Sequence, residues 1–188
     1  HPGPFNKLAS PKERVFNLTY TDLKVHADVF DMIGLPRTPY AKLNIHVGAA
    51  YGNKPVALDT FCRNFERLPE SVRLRLTVEN DDKPSLYSTK ELYEGVYKRI
   101  GIPIVFDFQS EQEALELALS TWPQAIVPVV HYAESRSVEY NNPKIKPQAH
   151  SDYVNGPIND YGHCIDVMIE AKHKELALLK YRAGYQNA

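Results

Sequence analysis

Val72-Arg73-Leu74-Arg75-Leu76-Thr77-Val78-Glu79 is the stretch on which the fold turns. Its β-branched residues and leucines predict a strand over Val72 to Val78, and a carboxylate follows at once. The same pattern recurs on both sides. Lys42 to Val47 predicts a short strand that delivers His46, and Ile102 to Phe106 one that ends in Asp107. Ile126 to Val130 predicts a strand ending in His131, and Ile165 to Ile169 one ending in Glu170.

Helical signals fill the intervals. Ser10-Pro11-Lys12-Glu13 reads as a capping box with proline at the first helical position. Val15, Leu18, Val25, Val29 and Ile33 follow at roughly helical spacing, and Gly34-Leu35-Pro36 ends that helix. Leu58, Phe61, Cys62, Phe65 and Leu68 mark the apolar face of a second helix. Ser88 with Glu91 and Ser110 with Glu113 are further capping boxes, the first ahead of Leu92, Val96 and Ile100 and the second ahead of Ala114 to Leu119. A stretch rich in Pro, Asn and Lys, 133–161, is expected to be irregular and carries His150, and a helix over 171–183 closes the pattern.

Strands that alternate with helices predict a parallel α/β fold in one domain over 1–188. His46, Glu79, Asp107, His131 and Glu170 each stand at or just past the end of a different strand. A TIM (β/α) barrel brings such ends to one face, where its active sites are built. A doubly wound sheet would not gather five strand ends so readily. Imidazole and carboxylate together suit zinc, manganese or iron. One such residue alone is better explained by a hydrogen bond, a cap or a loop salt bridge. Five on consecutive strand ends reverse that weighting, because gathering so many ionisable groups is costly without a cation.

Other signals exclude more than they assign. The net charge of −1 argues against a protein that coats DNA with basic surface, although a local basic groove remains compatible. Cys62 and Cys164 have no metal-type spacing and read as buried thiols of a reducing compartment. No apolar run approaches the ~20 residues that span a bilayer, so no membrane partner is expected. His26 reads as structural and His173 as solvated on the last helix. Asn80-Asp81-Asp82-Lys83 reads equally as a site loop or a solvated acidic loop. Tyr132 and Arg136, flanking His131, read equally as phosphate contacts or rim residues. No Gly-rich phosphate loop is present, and no organic cofactor is expected.

These residues resemble the ultraviolet damage endonuclease family, which is related to endonuclease IV. Arg75-Leu76-Thr77-Val78-Glu79-Asn80-Asp81-Asp82 is similar to that family's strand with its metal-bridging glutamate, and Pro103-Ile104-Val105-Phe106-Asp107 to the next strand with its ligand aspartate. Val130-His131-Tyr132, Ala149-His150-Ser151-Asp152-Tyr153 and Asp166-Val167-Met168-Ile169-Glu170-Ala171-Lys172 resemble further family motifs, and His1-Pro2-Gly3-Pro4-Phe5 the segment after the third strand. The resemblance implies about strands 4 to 8 of the barrel, with about ninety residues before them at roughly thirty per βα unit.

It also implies a chemistry: metal-dependent nicking of the phosphodiester backbone of damaged double-stranded DNA, near photoproducts or abasic sites, inside the cell (cytoplasm, nucleoid or nucleus). His1, His46 and Glu79 would match one metal site, and Glu79, Asp107, His150 and Glu170 a second that shares Glu79. Glu79, Asp107 and Glu170 would be the catalytic carboxylates. The family's third site would keep His131 alone, since Ser110 and Val129 stand where a histidine and a modified lysine are expected. Two divalent ions (Mn2+, Zn2+ or Mg2+) are therefore implied. The family's lesion-probing glutamine and tyrosine fall on Pro4 and Phe5, of which Phe5 could still wedge into a base stack. Tyr132, Arg136, Lys144 and Lys146 are candidate DNA contacts. Alternatives from other classes are a divalent-metal sugar isomerase or epimerase on a related barrel, and a divergent relative that binds DNA with weakened cleavage.

Overall fold

Four-residue strands in parallel pairs carry the framework. The computed structural model describes residues 2–3, 5–81, 83, 85–107 and 112–185, without the side chain of Tyr185. They fall into two compact units: His1–Phe106 with Glu111–Val127, and Asp107–Ser110 with Pro128–Ala188.

The first unit opens with α1 (Glu13–Met32). Ser10 Oγ accepts from Lys12 N at 3.2 Å, so the serine braces the turn before the helix, while the N-cap itself is Lys12 without a side-chain cap. The buried face of α1 is Phe16, Thr19, Leu23 and Ala27. This corrects the face read from the sequence: Leu18, Val25, Val29 and Ile33 are exposed, Leu18 at 64%. The helix has two apolar stripes, and the one holding the small residues Thr19 and Ala27 is turned inward. A spacing pattern alone does not choose between them.

After a 3-10 turn at Pro39–Ala41 come β1 (Leu43–His46) and α2 (Lys54–Glu66). Asn53 caps α2 by accepting from Val56 N at 3.1 Å. Leu58, Phe61, Cys62 and Phe65 are buried along α2, as the periodicity predicts.

The decisive stretch departs from expectation at its start. α3 (Glu70–Arg73) occupies the region where the strand was expected to begin, and β2 is Leu76–Glu79. Arg75 accounts for this. Its side chain is fully buried. Nε donates to Pro36 O at 3.1 Å, Nη1 to Ser71 O at 3.2 Å and Ala27 O at 3.5 Å, and Nη2 to Leu35 O at 2.7 Å and Asp31 Oδ1 at 2.8 Å. One guanidinium thus gathers carbonyls from the end of α1, the chain just beyond it and α3. The hydrogen bonds from Arg37 and then Arg75 hold the Asp31 carboxyl below the usual carboxylate range. The Arg75 carbonyl meanwhile accepts from Leu43 N at 2.9 Å, which starts the β1–β2 ladder.

That ladder pairs Leu43 with Leu76, Asn44 with Thr77, Ile45 with Val78 and His46 with Glu79. Next come α4 (Thr89–Leu92), a π-helical turn at Tyr93–Tyr97 and α5 (Lys98–Ile100). The Ser88–Glu91 capping box forms in both directions. A Cβ at Gly95 would stand 2.6 Å from Leu58 Cδ1, so this glycine permits close approach to α2. β3 (Ile104–Asp107) pairs with β2, Glu79 opposite Val105. After α6 (Gln112–Leu119), Thr121 Oγ1 accepts from Ile104 N at 2.9 Å and Trp122 Nε1 donates to Ile104 O at 2.8 Å. The predicted cap Ser110 lies outside the described residues.

In the second unit β4 (Val129–Tyr132) pairs in parallel with β5 (Asp166–Ile169), His131 opposite Met168. β4 starts later than expected, because Ile126 N turns back to Pro123 O at 2.9 Å. His131 therefore lies within the strand rather than past its end. The region expected to be irregular contains α7 (Arg136–Glu139). The last helix, α8 (Glu175–Tyr185), starts later than expected. Lys172 N and His173 N donate to Ser151 O and Asp152 O, at 2.9 and 3.2 Å, which ties that segment to a loop and places His173 before the helix. Cys62 is buried, whereas Cys164 is exposed, contrary to the expectation of two buried thiols. Among the described residues, no helix is long and apolar enough to cross a membrane.

Arg75→Met should be destabilising by about 3–5 kcal/mol, since it leaves buried carbonyls without their donor and Asp31 with Arg37 alone. Urea unfolding followed by circular dichroism checks this; a loss under about 1 kcal/mol would show that the guanidinium does not organise this region.

Candidate functional site

Strand alternation builds the first part of the site. Side chains two residues apart share a face, so Asn44 and His46 on β1 line up with Thr77 and Glu79 on β2. Leu43, Ile45, Leu76 and Val78 take the opposite face and are buried. Polar residues on the other face are also buried: Asn44 and Glu79 are each 3% exposed and Thr77 is fully enclosed. Thr77 Oγ1 donates to Asn44 Oδ1 at 2.9 Å, and Asn44 Nδ2 donates to Glu79 Oε2 at 2.5 Å. This relay fixes the carboxylate. His46 stands beside it, Nε2 3.8 Å from Glu79 Oε2 and Nδ1 3.4 Å from Asp81 Oδ1. Asp81 is itself anchored: its N donates to Tyr87 O at 2.9 Å, and its Oδ2 accepts from Tyr87 N at 3.4 Å.

The second unit forms a comparable arrangement. His131 is 3% exposed, with Nδ1 3.4 Å from Glu170 Oε1. His150 Nε2 stands 3.7 Å from Glu170 Oε2. One carboxylate therefore sits between two imidazoles. The His150 loop is held by two glutamates. Glu134 accepts from Asn155 N at 3.1 Å and Gly156 N at 2.9 Å, and Glu139 from Asp152 N at 2.7 Å and Tyr153 N at 3.2 Å. Ser135 and His150 form an isolated antiparallel bridge.

The sequence of the chain and its fold now have counterparts. A profile of the UV-endonuclease UvdE family matches residues 1–187. The chain belongs to the UV-endonuclease UvdE family. It is 34% identical over 199 residues to a UV DNA damage endonuclease of Bacillus cereus strain Q1, covering 96% of this chain and 59% of that protein. The UV DNA damage endonuclease of Bacillus thuringiensis subsp. konkukian strain 97-27 is 33% identical over the same shares. The crystal structure of SacUVDE superposes with a TM-score of 0.81 at 30% identity, over all of this chain and 65% of that one. The chain thus spans 59% of the length of the curated relatives, and its fold is the α/β, TIM-barrel type expected from the strand ends.

Against the family's expected residues, the structure brings His46 to Glu79 and both His131 and His150 to Glu170. Asp107 ends β3 and is half-buried. His1, Pro4 and Ser110 lie outside the described residues. Among the described residues, no group of three His, Cys, Asp or Glu side chains is drawn together tightly enough to hold an ion as it stands. The donors come instead as imidazole–carboxylate neighbours. Phe5 is 84% exposed. Tyr132 is half-buried at the end of β4, Arg136 lies 3.4 Å from Asp152, and Lys144 and Lys146 are exposed. Sequence reasoning missed Asn44, Thr77, Glu134 and Glu139. The first two were detectable as polar positions two residues before a candidate ligand on the same strand face. The glutamates had no signal, since their role depends on where a distant loop returns.

Tyr87 is fully buried, and its hydroxyl has no hydrogen-bond partner among the described residues. Burial first, then the charges of Asp81 and Glu91, push its pKa up to about 12. A folded value above the unfolded one of about 10 gives stability that is complete below pH ~10 and lost as pH rises through the folded value. Tyr87→Phe should therefore flatten the fall in stability between about pH 10 and 12, while keeping or raising the melting temperature at pH 7. Parallel pH series of thermal melts would show it; identical alkaline slopes would contradict it.

Proposed function

We propose that the chain carries the catalytic carboxylates and imidazoles of a metal-dependent endonuclease that nicks damaged double-stranded DNA. The observation that supports it best is Glu79: a buried carboxylate, held by Asn44 and facing His46 across the β1–β2 register. Family membership and the names of the relatives support the same reading. DNA repair would place its work inside the cell, at a nucleoid or in a nucleus.

The donor set fits hard or borderline divalent cations such as Mn2+, Zn2+ or Mg2+, because it joins carboxylate oxygens to imidazole nitrogens without thiolates. Glu79 and His46, with His1, would hold one ion. Glu170 and His150, with Asp107, would serve a second, and His131 supports Glu170. Bound divalent ions supply Lewis acidity toward phosphoryl oxygens and lower the pKa of attacking water. Asn44 keeps Glu79 in one orientation through its amide. Glu134 and Glu139 keep His150 in reach of Glu170. Arg136, Lys144 and Lys146, with Tyr132, would meet backbone phosphates, which position the duplex without reading its sequence. Phe5, exposed and apolar, would wedge into the stack and help displace damaged nucleotides.

The test is nicking of irradiated and unirradiated supercoiled plasmid with manganese present. The wild-type chain should nick the irradiated plasmid preferentially. Glu79→Gln keeps the shape but removes the charge that offsets the cations, so its rate should fall at least about a hundredfold with metal content reduced. Equal nicking of both plasmids, or an undiminished rate in Glu79→Gln, would overturn the reading.

A further inference from the structure

The second unit carries a cluster that the proposed function draws on only at Arg136. Tyr153 and His173 stack with ring centroids 4.7 Å apart and planes 17° from parallel. Lys180 Nζ stands 4.3 Å from the centre of the Tyr153 ring and is steadied by Asn155 Oδ1 at 3.0 Å. Asp152 joins this stack to Arg136: its Oδ2 lies 3.8 Å from His173 Nε2, and its Oδ1 lies 3.4 Å from Arg136 Nη2. The Tyr140 hydroxyl also donates to Asp152, and Arg136 lies over the Tyr140 ring at 5.2 Å. Asp152 itself is largely enclosed, at 13% exposure, while the His173 side chain stays 43% exposed and Arg136 38%. The partners of this carboxylate are thus fixed from inside, and their outer surfaces face solvent.

That combination has a chemical counterpart. An exposed aromatic ring, rigidly backed by a second ring, is a platform for another π-face. A guanidinium on the neighbouring oxygen of the same carboxylate is a site for an anion. Lys172, Lys174 and Lys180 are exposed around it. A flat apolar face beside fixed positive charge matches a nucleobase with its phosphate, the arrangement by which proteins hold unpaired strands. A peptide aromatic would satisfy the stack but bring no phosphate to the outer face of the guanidinium or to the lysines.

Resting on the reading of the chain as a DNA-acting protein, we infer that Tyr153, His173 and Lys180 form a stacking platform for one unpaired base of a DNA strand, with Arg136 on an adjacent phosphate. The platform lies apart from the exposed Phe5 wedge in the sequence and belongs to the second unit. It binds by stacking and charge, needs no bound metal, and tolerates any base.

The test separates this platform from nicking. A single-stranded oligodeoxynucleotide carrying 2-aminopurine is titrated with the full chain in the presence of EDTA, reading affinity by anisotropy and stacking by quenching of the 2-aminopurine. The wild-type chain should bind and quench. His173→Ala should bind roughly tenfold more weakly, the scale of one lost base–aromatic stack, and lose most of the quenching. His173→Phe should restore both, since it returns the ring without the imidazole. Circular dichroism of the variants confirms that they are folded. DNA binding by the wild-type chain with affinity and quenching unchanged in His173→Ala would overturn the platform alone. Absence of any binding to this strand by the wild-type chain would likewise overturn the platform, while the DNA-acting reading beneath it stands or falls on the plasmid nicking test.

Discussion

The guanidinium of Arg75 is the constraint on which the first unit depends. It is enclosed completely, and its donors are spent on carbonyls at the end of α1, beyond it and in α3, with Asp31 closing the set. Such a charge is tolerated inside a protein only when its hydrogen bonds are met, and removing a partner costs far more than the pair itself contributes. Arg75 stands immediately before β2, and its own carbonyl starts the pairing with β1. A slip of one residue in that pairing would turn every side chain to the other face. Fixing Arg75 therefore fixes Glu79 opposite His46, four residues further on.

From that register the candidate chemistry follows. Asn44 and Thr77 support Glu79 from one level below, and Asp81 approaches His46 from the other side. The second unit reaches a similar end by different means. Glu170 follows a strand directly, but His150 is on a loop, and a loop residue is useful only if something holds it. Glu134 and Glu139 do so by accepting backbone N–H groups of residues 152–156. In both units a carboxylate meets imidazole at 3.4 to 3.8 Å.

Much of this was legible in one dimension. A strand followed by an acid or a histidine is a local pattern, and its recurrence carried the parallel α/β fold and the place of His46, Glu79, Asp107 and Glu170 at or just past a strand end. The capping box at Ser88 was legible for the same reason, since its partners are three residues apart. What failed was whatever a distant segment decides. The inward face of α1 is chosen by which stripe lets the helix approach closely, and both stripes have helical spacing. The start of β2 is displaced by the bonds of Arg75 to chain some forty residues earlier. The start of α8 is delayed because Lys172 and His173 bond a loop twenty-one residues away in sequence. Cys62 lies on the inner face of a helix and is buried, whereas Cys164 stands just before β5 and is exposed.

The claim at the centre is that these imidazole–carboxylate neighbours are the ligands of divalent cations. Anomalous diffraction at the manganese edge, from crystals of the chain grown with Mn2+, tests it most directly. The expected result is a peak within coordination distance of a carboxylate oxygen of Glu79 and another at Glu170, each with an imidazole nitrogen on the same ion. Manganese peaks elsewhere on the chain, with none at either glutamate, would contradict it.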